Sequence, residues 1–448
     1  MKRASAWLSA SLVALATLRI ASAVWAAITN IRGDYYASMP GAYVQHVNPV
    51  LWDSADMEGA WGYHVNTYFH GPTQYLTLYP MAYLDSYAAI ASVLLPIYIV
   101  VLAVAFMFLR GAISRLAGNK TITAPLFAAT FLFFPLLQAF IQREFEVVVF
   151  LALTVALWLL LHARPTIAGV VLGYIAWFKY VPILFAGYLG LRRWYTAVAA
   201  FALTSAVVLL VAEAAFGLEL FINNNVPAHA AQVFNVWSFG FQPGPHGYLA
   251  GTGFCYGWLE IETTLANVRH GLCSLAFSTP WLPPHIVYLA LCVAIAAIYL
   301  ITHVRLDRRG LRAPDDERWR TALEFSIVTT VCTCFFFNHY YYLIALVIPL
   351  TVLLARYLMT ARSDRLIAWM VAYLLLSAFV VPTSVLTRLT GADVWAVYIK
   401  GAWFLWGELI LMCLLLYEYR SLSRVSASTG RSIHTAATSR QSPTSGKP

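Results

Sequence analysis

Six polar side chains in a largely apolar chain have types and settings suited to chemistry. Asp34 stands in Gly33-Asp34-Tyr35-Tyr36, just beyond the first apolar run. Ionisable groups beside hydrocarbon are costly and tend to be functional, so this carboxylate is a candidate general base. Arg143 and Glu144 lie in Gln142-Arg143-Glu144-Phe145-Glu146, between two apolar runs. Lys179 interrupts another run in Phe178-Lys179-Tyr180-Val181-Pro182. His339 falls at the end of a further run in Asn338-His339-Tyr340-Tyr341-Tyr342, and His70 lies in Tyr68-Phe69-His70-Gly71-Pro72. A cation near the bilayer interior needs an anion, either a protein acid or a ligand phosphate. For Arg143 and Glu144, a structural ion pair and a ligand contact are equally open readings. The aromatic residues of 29–85 read mainly as an interfacial belt.

The elements that must position these residues follow from composition. Of 448 residues, 60% are hydrophobic and only 11% charged, and the mean hydropathy is +0.69. Apolar runs long enough to cross about 30 Å of hydrocarbon recur along the chain. This predicts one polytopic, all-α membrane domain over 1–418, with a disordered cytoplasmic tail at 419–448. The net charge of +9 sits mostly in short loops, the pattern of cytoplasmic flanks and not of a nucleic-acid surface. Cys292, Cys332, Cys334 and Cys413 fall in apolar runs and read as core residues, whereas Cys255 and Cys273 share a polar segment where a disulfide is possible.

Positive charge sets the expected topology. Lys2 and Arg3 precede the first run (about 5–28), which puts the N-terminus inside and Asp34 outside. Ala21-Ser22-Ala23 also resembles a signal-peptide cleavage site, but Arg19 within the run and the spans that follow favour a retained helix. Runs near 86–109, 122–140, 146–161, 195–216, 285–304, 322–337, 341–355, 366–385 and 397–417 read as spans. The stretch 166–191 has basic flanks at both ends, so it reads as two half-helices with their apex near Lys179, broken by Pro182. The result is about 12 transmembrane or half-membrane helices, with extracytoplasmic segments at 29–85 and 217–283 and both termini inside. In this arrangement 22 of the 29 Lys and Arg lie inside. Asp34, His70, Arg143, Glu144, Lys179 and His339 gather outside.

One acid and several cations around an outward-facing cavity suit a substrate with a wet head and a lipid tail, such as a phosphate-linked sugar. No Asp-x-Asp pair lies on the outer side. Asp53, Asp56, His64 and His70 are the minority metal reading, and no cofactor is expected.

The ordered pieces Gly33-Asp34-Tyr35-Tyr36, Tyr68 to Pro80, Gln142 to Glu146, Ala168-Gly169, Phe178 to Pro182, Arg192-Arg193-Trp194 and Asn338 to Tyr341 resemble the GT-C superfamily of polytopic glycosyltransferases. They are most similar to the GT87 (DUF2029) group that includes polyprenol-phosphate-mannose-dependent mannosyltransferases. His70-Gly71-Pro72 departs from that group's aromatic residue and paired prolines. The resemblance implies a GT-C-type fold and inverting transfer of a mannose-like hexose from a polyprenyl-phosphate donor to a glycolipid or polysaccharide hydroxyl. Asp34 would be the base, with Lys179, Arg143 and His339 near the leaving phosphate and Glu144 and His70 at the substrate. It places the enzyme in the cell membrane, with its site extracytoplasmic. A lipid-linked sugar transporter and a non-catalytic envelope protein are the competing readings, although the two halves show no repeat symmetry of the kind transporters carry.

Overall fold

The computed structural model describes residues 2–29, 72–78, 80, 87–118, 122–178, 183–216, 268, 271–273, 275, 283–309, 314–335, 340–360, 363–377, 383–394, 397–398 and 401–438. Among the described residues every regular element is a helix. In hydrocarbon each backbone N–H and C=O must be satisfied within its own segment, and apolar runs of this length do that by coiling.

The helices in chain order are α1 (Lys2–Thr29), α2 (Pro72–Leu78), α3 (Tyr87–Ala117), α4 (Thr123–Phe131), α5 (Phe134–Ile141), α6 (Glu146–Leu161), α7 (Pro165–Ile175) and α8 (Leu184–Leu191). After them come α9 (Tyr195–Phe216), α10 (Pro284–Arg309) and α11 (Pro314–Cys334). A 3₁₀ helix (Tyr340–Leu346) then runs into α12 (Val347–Thr360), followed by α13 (Ser363–Leu376), α14 (Thr383–Thr390) and α15 (Trp403–Thr438). Five stretches among the described residues, in α1, α3, α9, α10 and the 3₁₀–α12 unit, are long and apolar enough to cross a membrane. The bent pair α4–α5 makes a sixth if counted as one span. The protein is an all-α polytopic membrane protein. Its last helix continues past Arg420 to Thr438, through part of the segment whose composition suggested a disordered tail. Ser, Thr and Ala there lower apolar packing without forbidding helix.

Burial separates centre from periphery. Residues of the 3₁₀–α12 span are 78% buried, against 17% for α1 and for α10, so the former runs through the middle and the latter two lie at the edge. The 57° bend between α4 and α5 has an identifiable support. Pro135 opens α5, and Ser377 supplies the broken ladder from outside. Its Oγ accepts the Phe134 N–H at 3.2 Å and donates to the Leu132 carbonyl at 3.2 Å. Irregular backbone at depth survives only with such partners.

The stretch 166–191 is broken as its basic flanks required: α7 stops at Ile175 and α8 begins at Leu184. α7 is fixed against α9 by close backbone approach. A Cβ on Gly169 would lie 2.2 Å from the Ala197 carbonyl oxygen, and one on Gly173 would lie 2.5 Å from that of Phe201. Glycines four apart let membrane helices touch in this way. Polar bonds complete the seam: Ser205 Oγ donates to the Gly173 carbonyl at 3.0 Å, and Trp177 Nε1 donates to that of Ser205 at 2.6 Å.

One end of the bundle is locked by a buried charge network centred on Glu324, which is fully buried. His303 Nδ1 and Arg320 Nε each lie 3.0 Å from Glu324 Oε1, and Arg192 Nη1 lies 3.2 Å from Oε2. The Tyr419 hydroxyl donates to the same carboxylate. Arg192 also pairs with Glu317, and Arg320 pairs with Asp307 at 2.5 Å. Burial lowers the pKa of the Arg192 guanidinium, but Glu324, Tyr188 and Glu317 more than offset this and hold it above its ordinary value. Residues from α8 to α15 are thereby tied at one point.

Candidate active site

The turn between α5 and α6 builds the opposite end. Ile141 is the last residue of α5, and the chain reverses through Gln142, Arg143, Glu144 and Phe145 before α6 opens at Glu146. Arg143 takes φ +53°, a left-handed conformation uncommon for a non-glycine residue. That backbone turns its side chain inward, where the residue is only 2% exposed. Arg143 Nη2 donates to the Ala27 carbonyl at 2.6 Å. Ala27 belongs to the last turn of α1, whose terminal carbonyls have no partner within the helix and carry partial negative charge. The guanidinium therefore caps the helix that leads towards Asp34.

Acids are packed into the same turn: Glu144 is 8% and Glu146 3% exposed. The Tyr98 side chain of α3, also buried, interacts electrostatically with Glu144, Glu146 and Arg143. Phe145 meets Phe178, which follows the end of α7, with ring centroids 5.3 Å apart. The 3₁₀ helix that starts at Tyr340 packs against both α5 and α6, the helices flanking the turn. α2 docks beside α9 at the end of α7. There Thr73 Oγ1 donates to the Tyr174 carbonyl at 2.5 Å, and Thr77 Oγ1 and the Tyr174 hydroxyl lie 2.5 Å apart.

Four sequence pieces that are remote along the chain thus meet at one end: the α5–α6 turn, the α7–α8 break, the α2 segment and the start of the 3₁₀ helix. Of the sequence-predicted site residues, Arg143 and Glu144 are described and stand together here. Asp34, His70, Lys179 and His339 lie outside the described residues, as do Asp53, Asp56 and His64. Cys273 is disulfide-bonded, and Cys255 likewise lies outside the described residues. Among the described residues no group of three or more His, Cys, Asp or Glu is arranged to hold a metal ion.

Three further polar groups were not singled out from the sequence. Gln74 on α2 is 1% exposed, and its Oε1 is buried with no hydrogen-bond partner. Glu213, near the end of α9, is 4% exposed. Tyr98 sits within an apolar span. The signal for Glu213 was legible, an acid inside an otherwise apolar run; for Gln74 and Tyr98 there was none, because only packing buries them. Chemically, this end offers acids, a guanidinium and amide and hydroxyl groups in a largely water-excluded setting, the kind of site where fixed charges act most strongly on developing charge.

A family model described as glycosyltransferase family 87 matches residues 68–313, more than half of the chain. No curated protein and no solved structure matches.

Proposed function

Because the chain belongs to glycosyltransferase family 87 and is a membrane glycosyltransferase, we propose that its site lies at the Arg143 end and moves a hexose from a polyprenyl-phosphate donor to an acceptor hydroxyl with inversion. The carrying observation is the bond from Arg143 to the Ala27 carbonyl. It joins the α5–α6 turn to the end of α1, and Asp34 follows Thr29, the last residue of α1, by five positions. At full extension five residues span at most about 18 Å. A link of that length is compatible with Asp34 serving the face where the family-like pieces meet, which supports the reading.

In this reading Asp34 takes the proton of the acceptor hydroxyl as its oxygen attacks the anomeric carbon. The bond to the phosphate oxygen breaks on the opposite face. The leaving phosphate departs as an anion, needing no proton but needing positive charge as the bond lengthens. Lys179, Arg143 and His339 are the candidates for that charge, and Glu144, His70 and Gln74 for sugar hydroxyls. No metal takes part. The Arg143 end faces out of the cytoplasm and the Glu324 network faces in, consistent with Lys and Arg gathering at the latter end. The acceptor is a glycolipid or polysaccharide of the cell envelope. Family membership favours transfer over the transporter and non-catalytic readings.

The test is transfer by the purified protein in lipid, supplied with a panel of polyprenyl-phosphate sugars and membrane extract. Product should form with one donor class and fall by about 10²–10⁴-fold in Asp34→Asn, the scale of losing general-base help. Full activity in that variant would remove Asp34 from the mechanism, and activity only with nucleotide sugars would overturn the donor.

A further inference from the structure

At the end of the bundle opposite the Arg143 turn there is a cavity of about 380 Å³, lined by the α8–α9 turn, the last turn of α10 and the first turns of α11. Arg192, Arg193, Arg308 and Arg320 line it against Asp307 and Glu317, with Trp194 alongside. These guanidiniums differ in their commitments. Arg320 is held by Asp307 and Glu324. Arg192 is held by Glu317 and Glu324, yet its Nε is buried with no hydrogen-bond partner. Its side chain is only 4% exposed, and the guanidinium sits 4.7 Å from the centroid of Trp194. No ion pair joins Arg193 or Arg308 to a described residue, and both are exposed at the rim.

Beside this basic pocket runs an apolar, unfilled helix face. On α8, a Cβ added to Gly187 or to Gly190 would meet nothing within 4 Å. Leu184 and Leu191 on the same short helix, and Ile183 at its N-cap, are exposed. The backbone is therefore bare between apolar side chains, leaving a groove that leads to the arginines. A soluble anion would use the arginines and leave the groove empty. A phosphate carried on acyl chains would use both, and basic pockets between membrane helices take anionic headgroups for this reason.

We propose that an anionic phospholipid binds here, its phosphate held by Arg193, Arg308 and the free Arg192 Nε–H, its chains lying along the Gly187 face of α8. The site is separate from the transfer chemistry: α6 alone, running between the two ends, is 16 residues and about 24 Å long. The lipid fastens α8 at its C-terminal end.

Thermal unfolding and native mass spectrometry of the purified full chain in mild detergent test this. The three additives are phosphatidylglycerol, phosphatidylcholine and glycerol 3-phosphate. Phosphatidylglycerol should raise the unfolding midpoint and leave a mass adduct, while the other two do neither. The double variant Arg193→Gln/Arg308→Gln should retain phosphatidylglycerol at least about tenfold more weakly, since each lost charged hydrogen bond is worth about that much. Should the double variant misfold, Arg308→Gln alone carries the test, because no ion pair joins Arg308 to a described residue. Equal stabilisation by the two lipids, or an undiminished adduct in the variant, overturns the proposal. So does a full shift with glycerol 3-phosphate alone, which would make the occupant a soluble phosphate.

Discussion

At the scale of single residues, Arg143 shows how one side chain serves structure and site together. Its left-handed backbone and inward guanidinium cap α1, so a substitution that removes the side chain without adding strain is informative. Arg143→Gly accepts φ +53° freely. If Arg143 also stabilises the leaving phosphate, the variant should lose transfer activity by more than its fall in thermal stability explains; parallel loss would leave the capping role alone. Lys179→Ala should raise the donor KM while leaving the acceptor KM nearly unchanged, checked by varying each substrate in turn. Glu324 gives a stability test at the other end. Glu324→Ala leaves Arg192 with Glu317 and Arg320 with Asp307 but removes the buried carboxylate they share, and should cost about 3–5 kcal/mol, read from detergent thermal denaturation. Glu324→Gln keeps the shape and part of the hydrogen bonding and should cost less. Arg143, Glu144 and the isolated Lys179 stood out in the sequence because charges in apolar surroundings are conspicuous. Arg143's partner did not, because a backbone carbonyl at Ala27 carries no signature.

At the scale of elements, the contact between α7 and α9 is the most constrained. Gly169 and Gly173 allow backbone to rest on backbone, and a side chain there meets main-chain atoms that cannot swing aside. Gly169→Val is expected to cost about 1–3 kcal/mol or more and to lower the yield of folded protein, measured by size-exclusion recovery. Gly187→Ala, on the open face of α8, should be tolerated or slightly stabilising in the same assay, since helix interiors favour Ala. The break after α7 could be read from basic flanks and Pro182, because charge and a missing N–H act locally. The α4–α5 bend could not. Pro135 alone marks a helix start, and its support, Ser377, comes from more than two hundred residues away.

For the molecule as a whole, the two ends differ in kind, one carrying the turn, the break and the candidate chemistry, the other the Glu324 network and the basic pocket. The proposed sidedness predicts labelling in whole cells. In a background with Cys292, Cys332, Cys334 and Cys413 replaced, Thr29→Cys should react with an impermeant maleimide and Asp315→Cys only after permeabilisation. The reverse pattern would invert the topology. By itself the sequence determined the all-α membrane class and the interruption between α7 and α8, because hydropathy, charge bias and proline act through a few neighbouring residues and the bilayer. Tertiary structure decided which of the remote sequence pieces touch. It also decided that Arg143 gives one nitrogen to α1, that Glu324 gathers Arg192 from the α8–α9 turn, His303 from α10 and Tyr419 from α15, and that Gln74 and Tyr98 are buried. Those outcomes depend on packing between segments far apart in the chain, and no local pattern encodes the distance between them.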